Sequence, residues 1–113
     1  MATILLAEDE DALRGLLAGL LRRHGYNVLA ARDGREAVEI GRDNLDSIDL
    51  LITDVRMPGI DGPGVARELL SARPALKVLY ISGYAEGRVL GGPFLQKPFS
   101  PAELSALVRD LLK

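Results

Sequence analysis

Four short apolar runs in this 113-residue chain each stop at a residue able to do chemistry. TILLA (Thr3 to Ala7) runs into Glu8 and Asp9, and LLIT ends on Asp54. KVLYI ends on Ser82, and the brief FLQ is followed by Lys97. Taken singly, each has an ordinary explanation: acids favour the starts of helices and turns, a serine satisfies a turn, and a lysine is usually solvated. Their shared placement changes the reading. If these runs are neighbouring strands of one parallel sheet, their carboxyl ends lie along one edge, where open α/β sheets place their ligands. Three carboxylates, a hydroxyl and an ammonium then converge there. Carboxylates crowded in a cleft raise one another's pKa and oppose folding unless something neutralises them. A hard cation would do so, and Mg²⁺ commonly takes one or two carboxylates together with water and phosphate oxygens. Phosphoryl transfer asks for this set of groups: an in-line nucleophile, neutralised equatorial oxygens, and lysine as a compact charge.

The elements that would position these residues alternate along the chain. After TILLA, Leu13, Leu16, Leu17, Leu20 and Leu21 form one helical stripe, ended by His24-Gly25 with Gly25 as the residue beyond the cap. Asn27 to Ala31 reads as a second strand, and Asp33 with Glu36 has the form of a capping box for a helix carrying Ala37, Val38 and Ile40. Leu50 to Asp54 is the third strand, apolar enough to be buried on both faces. A helix starting near Asp61 carries Val65, Ala66, Leu69 and Leu70 and stops before Pro74. Lys77 to Ser82 and Phe94 to Gln96 supply the fourth and fifth strands. Ser100-Pro101-Ala102-Glu103 then caps a last helix that buries Leu104, Leu107, Val108 and Leu111. Strands alternating with helices imply βαβ units, hence a doubly wound α/β fold with a parallel sheet covered on both sides.

Composition narrows the class. The length fits a single domain over residues 1–113, and 48% apolar with 27% charged residues is ordinary for a soluble globular chain. Fourteen basic against sixteen acidic residues, without any long run of one sign, argues against a nucleic-acid module, which would usually show a basic face. Cysteine is absent, which excludes disulfides and thiolate metal sites. No apolar stretch approaches a membrane span and no signal-peptide pattern opens the chain, so the cytoplasm is the expected location.

The segments ILLAEDE, LLITDVRMPGIDG, VLYISGY and FLQKPFSP resemble, in order and spacing, the response-regulator receiver domains of two-component phosphorelays. VRMPGIDGPGVARELL and KVLYISGY are most similar to receivers at the C-terminus of hybrid sensor histidine kinases. The resemblance implies a flavodoxin-like five-stranded sheet of order 2-1-3-4-5 and assigns Asp54 as phosphoacceptor for a phosphohistidine. Its donor is then a histidine kinase or a histidine phosphotransfer protein. The resemblance also implies a Mg²⁺ site, with Mn²⁺ as a substitute, made by Glu8, Asp9, Asp54 and the backbone carbonyl of Arg56. Ser82 and Lys97 would hold phosphoryl oxygens, and Phe94 would turn inward as Ser82 moves. A cis Lys97–Pro98 bond is expected where the chain reverses to aim the ammonium.

Two departures accompany the match. Glu8 replaces a more usual aspartate, and its extra methylene favours metal contact through water. Arg56 either shields the phosphoryl group, contacts a partner or is a solvated surface arginine. Residues 83–92 hold four glycines and are short for a parallel crossover, so the fourth helix of the family is expected to be reduced to about a turn or lost. With that face reduced, a relay or sink is expected rather than an effector switch. Rival readings are an aspartyl-phosphate hydrolase, which usually needs an acid where Arg56 stands, and a flavodoxin-like nucleotide binder. The latter needs a Gly/Ser/Thr-rich loop where this chain has Glu8-Asp9-Glu10-Asp11. A third is a receiver-like interaction module that is never phosphorylated. The chain carries neither a DNA-binding helix-turn-helix nor a kinase catalytic region, so it is expected to be a fragment or to act through partners.

Overall fold

The computed structural model describes residues 1–83 and 92–113. Five parallel strands form one sheet in the order β2-β1-β3-β4-β5. They are β1 (Thr3–Ala7), β2 (Asn27–Ala31), β3 (Leu50–Asp54), β4 (Lys77–Ser82) and β5 (Phe94–Gln96). The helices among the described residues are α1 (Asp11–Arg23), α2 (Gly34–Asp43), α3 (Gly62–Ala72) and α4 (Pro101–Leu111). The expectation of a shortened helix between β4 and β5 falls on residues 84–91, outside the described residues.

Strand side chains alternate between faces, so a strand covered on both sides must be apolar throughout. Ile4 and Leu6 pack with Leu17, Leu21, Leu104 and Val108 under α1 and α4. Leu5 and Ala7 pack with Ala37, Val38, Val65 and Leu69 under α2 and α3. β3 lies at the centre, and all five of its residues are buried. Fully burying a leucine or isoleucine stabilises by about 1.5–3 kcal/mol, so these two layers hold the sheet edge in place.

The caps differ from the expected pattern in one respect. Ser100 and Glu103 form the full reciprocal box on α4. At α2, the Asp33 side chain accepts from Glu36 N, but Glu36 reaches past the cap to accept from Arg32 N at 3.0 Å. The leucine stripe of α1 also needs a correction. Leu17 and Leu21 are buried and Leu13 and Leu20 pack at the margin, but Leu16 is 63% exposed. A helical stripe five leucines wide exceeds the face that the sheet covers, and Leu16 lies on the uncovered side. Gly25, at φ +91°, follows the α1 cap in the left-handed conformation expected there.

Candidate functional site

Register explains why the chemically able residues meet. Ala7 pairs with Thr53, so Glu8 and Asp54, each one residue further on, leave the sheet side by side. Asp54 pairs with Ile81 and Ser82 with Gln96, which brings Ser82 and Lys97 to the same edge. Lys97 N donates to the Ser82 carbonyl at 2.7 Å, tying the last two strand ends together. The Lys97–Pro98 peptide is cis, as the sequence leads one to expect.

The Lys97 ammonium bridges the cluster, donating to Glu8 Oε1 at 2.9 Å and to Asp54 Oδ2 at 3.0 Å. Glu8 Oε2 accepts from Glu10 N at 3.0 Å, so both oxygens of this nearly inaccessible carboxylate are engaged. Asp54 is buried at 8% exposure and Ser82 at 1%, whereas Asp9 is exposed. Burial pushes the Glu8 carboxyl above its ordinary range; the Asp54 charge adds to this, while the Glu10 N–H and Lys97 pull the other way. Burial also opposes the Lys97 ammonium, but its bonds to Glu8 and Asp54 outweigh that and hold its pKa above the usual value. The ammonium is therefore firmly charged, while Glu8 remains the strained member of the pair.

Carboxylate oxygens from Glu8, Asp9 and Asp54 all lie within 4.8 Å of one another. Lys97 brings one positive charge against three negative ones, so the donor set still favours a hard cation. Arg56 is exposed two residues beyond Asp54, and its neighbour Met57 is buried in the α2–α3 core, which pins the loop between them. Phe94 is half-buried on β5, opposite Tyr80. His24, at the C-cap of α1, lies away from this edge and pairs with Ser105 of α4 at 3.1 Å.

Arg14 escaped the sequence reading. Its guanidinium donates to the Glu8 carbonyl oxygen at 3.0 Å and to Asp11 at 2.6 Å. A signal for it existed in the spacing, since an arginine three residues beyond Asp11 is an i,i+3 partner. Its bond to a backbone carbonyl leaves no side-chain pattern.

The sheet and its edge define a flavodoxin-like α/β module whose carboxylates and ammonium meet at the strand ends, with Ser82 closing the neighbouring strand. The chain belongs to the response regulator receiver domain family, whose model matches residues 4–109. It is 41% identical, over 99% of its length, to the sensor kinase CckA of Brucella abortus (strain 2308), and spans 13% of that protein. The crystal structure of the receiver domain from hybrid histidine kinase CckA superposes with a TM-score of 0.90 at 45% identity. That likeness covers 99% of this chain and 100% of the other. TrrA from Thermotoga maritima, solved in complex with Mg²⁺ and BeF, is 32% identical with a TM-score of 0.90, covering 99% of this chain and 100% of TrrA. The chain spans about half the length of the curated transcriptional regulators it also matches. The resemblance to receivers, and its leaning toward those of hybrid kinases, therefore holds. No helix among the described residues is long and apolar enough to cross a membrane.

Proposed function

We propose that residues 1–113 form one receiver domain whose Asp54 takes a phosphoryl group from a phosphohistidine on a kinase or phosphotransfer protein. The domain is a phosphoacceptor with self-phosphorylation and autodephosphorylation chemistry of its own rather than a classical enzyme, and works in the cytoplasm. The bridge from Lys97 to both Glu8 and Asp54 carries this reading, because it joins three strand ends around one nucleophile. An Asp54 carboxylate oxygen attacks phosphorus as the P–N bond to imidazole breaks, and the departing histidine keeps the electron pair. A mixed anhydride remains. Lys97, already beside the Asp54 carboxylate, then pairs with a phosphoryl oxygen, and the Ser82 hydroxyl donates to another. Glu8, Asp9, Asp54 and the Arg56 carbonyl would hold Mg²⁺, or Mn²⁺ in its place. When bound, the cation supplies Lewis-acid neutralisation of the phosphoryl oxygens. Phe94 follows Ser82 as the switch, and the module serves as relay or sink. The hydrolase reading loses ground because Arg56, an exposed cation, stands where its second acid belongs.

The test is labelling by a small acyl phosphate with Mg²⁺. Hydroxylamine should strip the label, and mass spectrometry should find it on Asp54. A label on another residue, or none, sinks the reading.

An apolar groove supports a protein donor. It encloses about 320 Å³ between Leu13, Leu16 and Leu20 of α1, Phe99 of the β5–α4 connection and Pro101 at the start of α4, and Lys97 is among its lining residues. It is thus continuous with the phosphoacceptor site and suits an amphipathic helix bearing the phosphohistidine. Leu16→Asp should leave stability within about 0.5 kcal/mol, because the side chain is already exposed. Transfer from a phosphohistidine-bearing partner should fall tenfold or more while labelling by acyl phosphate is unchanged. Equal loss of both reactions would argue against docking here.

A further inference from the structure

We propose that Arg14 is a positioning residue of the cation site, holding the turn between β1 and α1 so that Glu8 and Asp9 face Asp54. The role rests on the cation site proposed above. The turn runs from Glu8 through Asp9 to Glu10, the N-cap of α1, and has neither glycine nor proline to preset its course. Among the described residues the Glu10 side chain makes no cap bond either. Among the described residues, three bonds that engage the backbone hold the turn at Glu8 instead, beside the Lys97 ion pair. Glu8 N donates to the Ala31 carbonyl at 3.1 Å, Glu10 N donates to Glu8 Oε2 at 3.0 Å, and Arg14 Nη1 donates to the Glu8 carbonyl at 3.0 Å.

These bonds differ in how they meet an arriving cation. The Glu10 bond uses the Glu8 carboxylate, so a cation must compete with it, just as it competes with Lys97. The Arg14 bond uses the backbone and survives whichever way the carboxylate turns. Its second arm, to Asp11 at 2.6 Å, anchors the guanidinium on the first turn of α1, and the Arg14 side chain is only 21% exposed. A planar guanidinium with fixed donors suits this two-point clamp, and lysine does not. Outer-shell partners of this kind orient ligands, and their loss typically weakens metal binding 10- to 100-fold.

Charge and geometry predict opposite signs, which makes the proposal testable. As a positive charge bonded to the Glu8 carbonyl, Arg14 would repel a cation held by that residue, and its removal would tighten binding. As a clamp, its removal loosens the ligands and weakens binding. The experiment is a calorimetric Mg²⁺ titration of the metal-free chain, with melting temperatures recorded in parallel. Arg14→Met keeps most of the stem and loses charge and donors; Arg14→Lys keeps the charge and loses the fork. Both should bind Mg²⁺ about tenfold more weakly than wild type. Unchanged or tighter binding by Arg14→Met overturns the role, as does wild-type affinity in Arg14→Lys. A lowered melting temperature without a change in Mg²⁺ affinity marks a merely structural contact and also overturns it. A wild type that takes up no Mg²⁺ overturns the cation site itself, and the role with it.

Discussion

Asp54→Asn takes up no phosphate yet melts higher than wild type when metal is absent. The two effects have one origin. Asparagine keeps the shape of the side chain but presents no carboxylate oxygen to attack phosphorus, so hydroxylamine-labile label should fall to background. The substitution also removes one of three negative charges whose oxygens lie within 4.8 Å of one another. Lys97 keeps its bond to Glu8, and the amide oxygen of asparagine can still accept from the ammonium. The Asp54 charge is one of the causes holding the Glu8 carboxyl above its ordinary range, after burial, so its removal eases the ionisation of Glu8. We expect a gain of about 1 kcal/mol in the metal-free protein, or roughly 4 °C in a domain of this size. Mg²⁺ should then raise the wild-type melting temperature more than that of the variant, because only the wild type offers the full ligand set. Melting curves with and without millimolar Mg²⁺ check both halves. A variant that melts below the metal-free wild type would mean that the Lys97–Asp54 pair outweighs the crowding.

Alanine at Gly62 should disable the site without altering a single charged group. A Cβ there would lie 2.2 Å from the Asp54 carbonyl oxygen and 3.0 Å from its carbonyl carbon. These are backbone atoms, and they cannot swing aside as a side-chain tip would. Gly62 N also donates to the Val55 carbonyl at 2.9 Å, so α3 begins hard against the strand end that carries Asp54. The same loop is pressed from α2, where a Cβ on Gly34 would meet the Ile60 carbonyl oxygen at 1.9 Å. Overpacking of this kind costs about 1–3 kcal/mol, occasionally more, and a shift of about 1 Å at a reacting group can slow a reaction about 100-fold. Gly62→Ala and Gly34→Ala should each lower the melting temperature and slow labelling at least tenfold. Gly19→Ala on α1, with nothing within 4 Å of the added carbon, should be neutral or stabilise by up to about 1 kcal/mol. Normal labelling rates in both Gly62→Ala and Gly34→Ala would show that the loop accommodates the extra carbon.

The sheet was legible because burial on both faces leaves a plain trace. β1, β3 and β4 are apolar runs that stop where they meet the functional edge, and their bounds match those read from sequence. The capping pattern of Ser100 and Glu103 was equally plain, because both bonds are local. Longer reaches were not. Glu36 has the spacing of a reciprocal cap, yet it satisfies Arg32 N, one residue before the cap. Leu16 has helical spacing, yet periodicity reports the width of a stripe and not whether a neighbour covers it. In the site, Asp54 could be singled out from its place after a buried strand. The meeting of Lys97 with Glu8 needed the strand order, because the two residues are far apart in sequence. Arg14 was invisible because its partner is a carbonyl that every residue possesses.

The bottom of the sheet has a consequence for how this unit can be built into larger proteins. Met1, Ala2 and Leu112 line one polar hollow with Asp49, Arg73 and Lys77, at the amino ends of the strands. Lys77 reaches the Leu111 carbonyl there, and Asp49 accepts from Thr3 N. Both chain ends thus leave side by side from the pole opposite Asp54. A connection at either end need not cross the pole that carries Asp54, and the two ends are near enough to be joined by a short bridge. The unit can therefore be spliced into a longer polypeptide as a cassette, or reopened at a surface turn with its ends closed, while the strand ends above stay open to visitors.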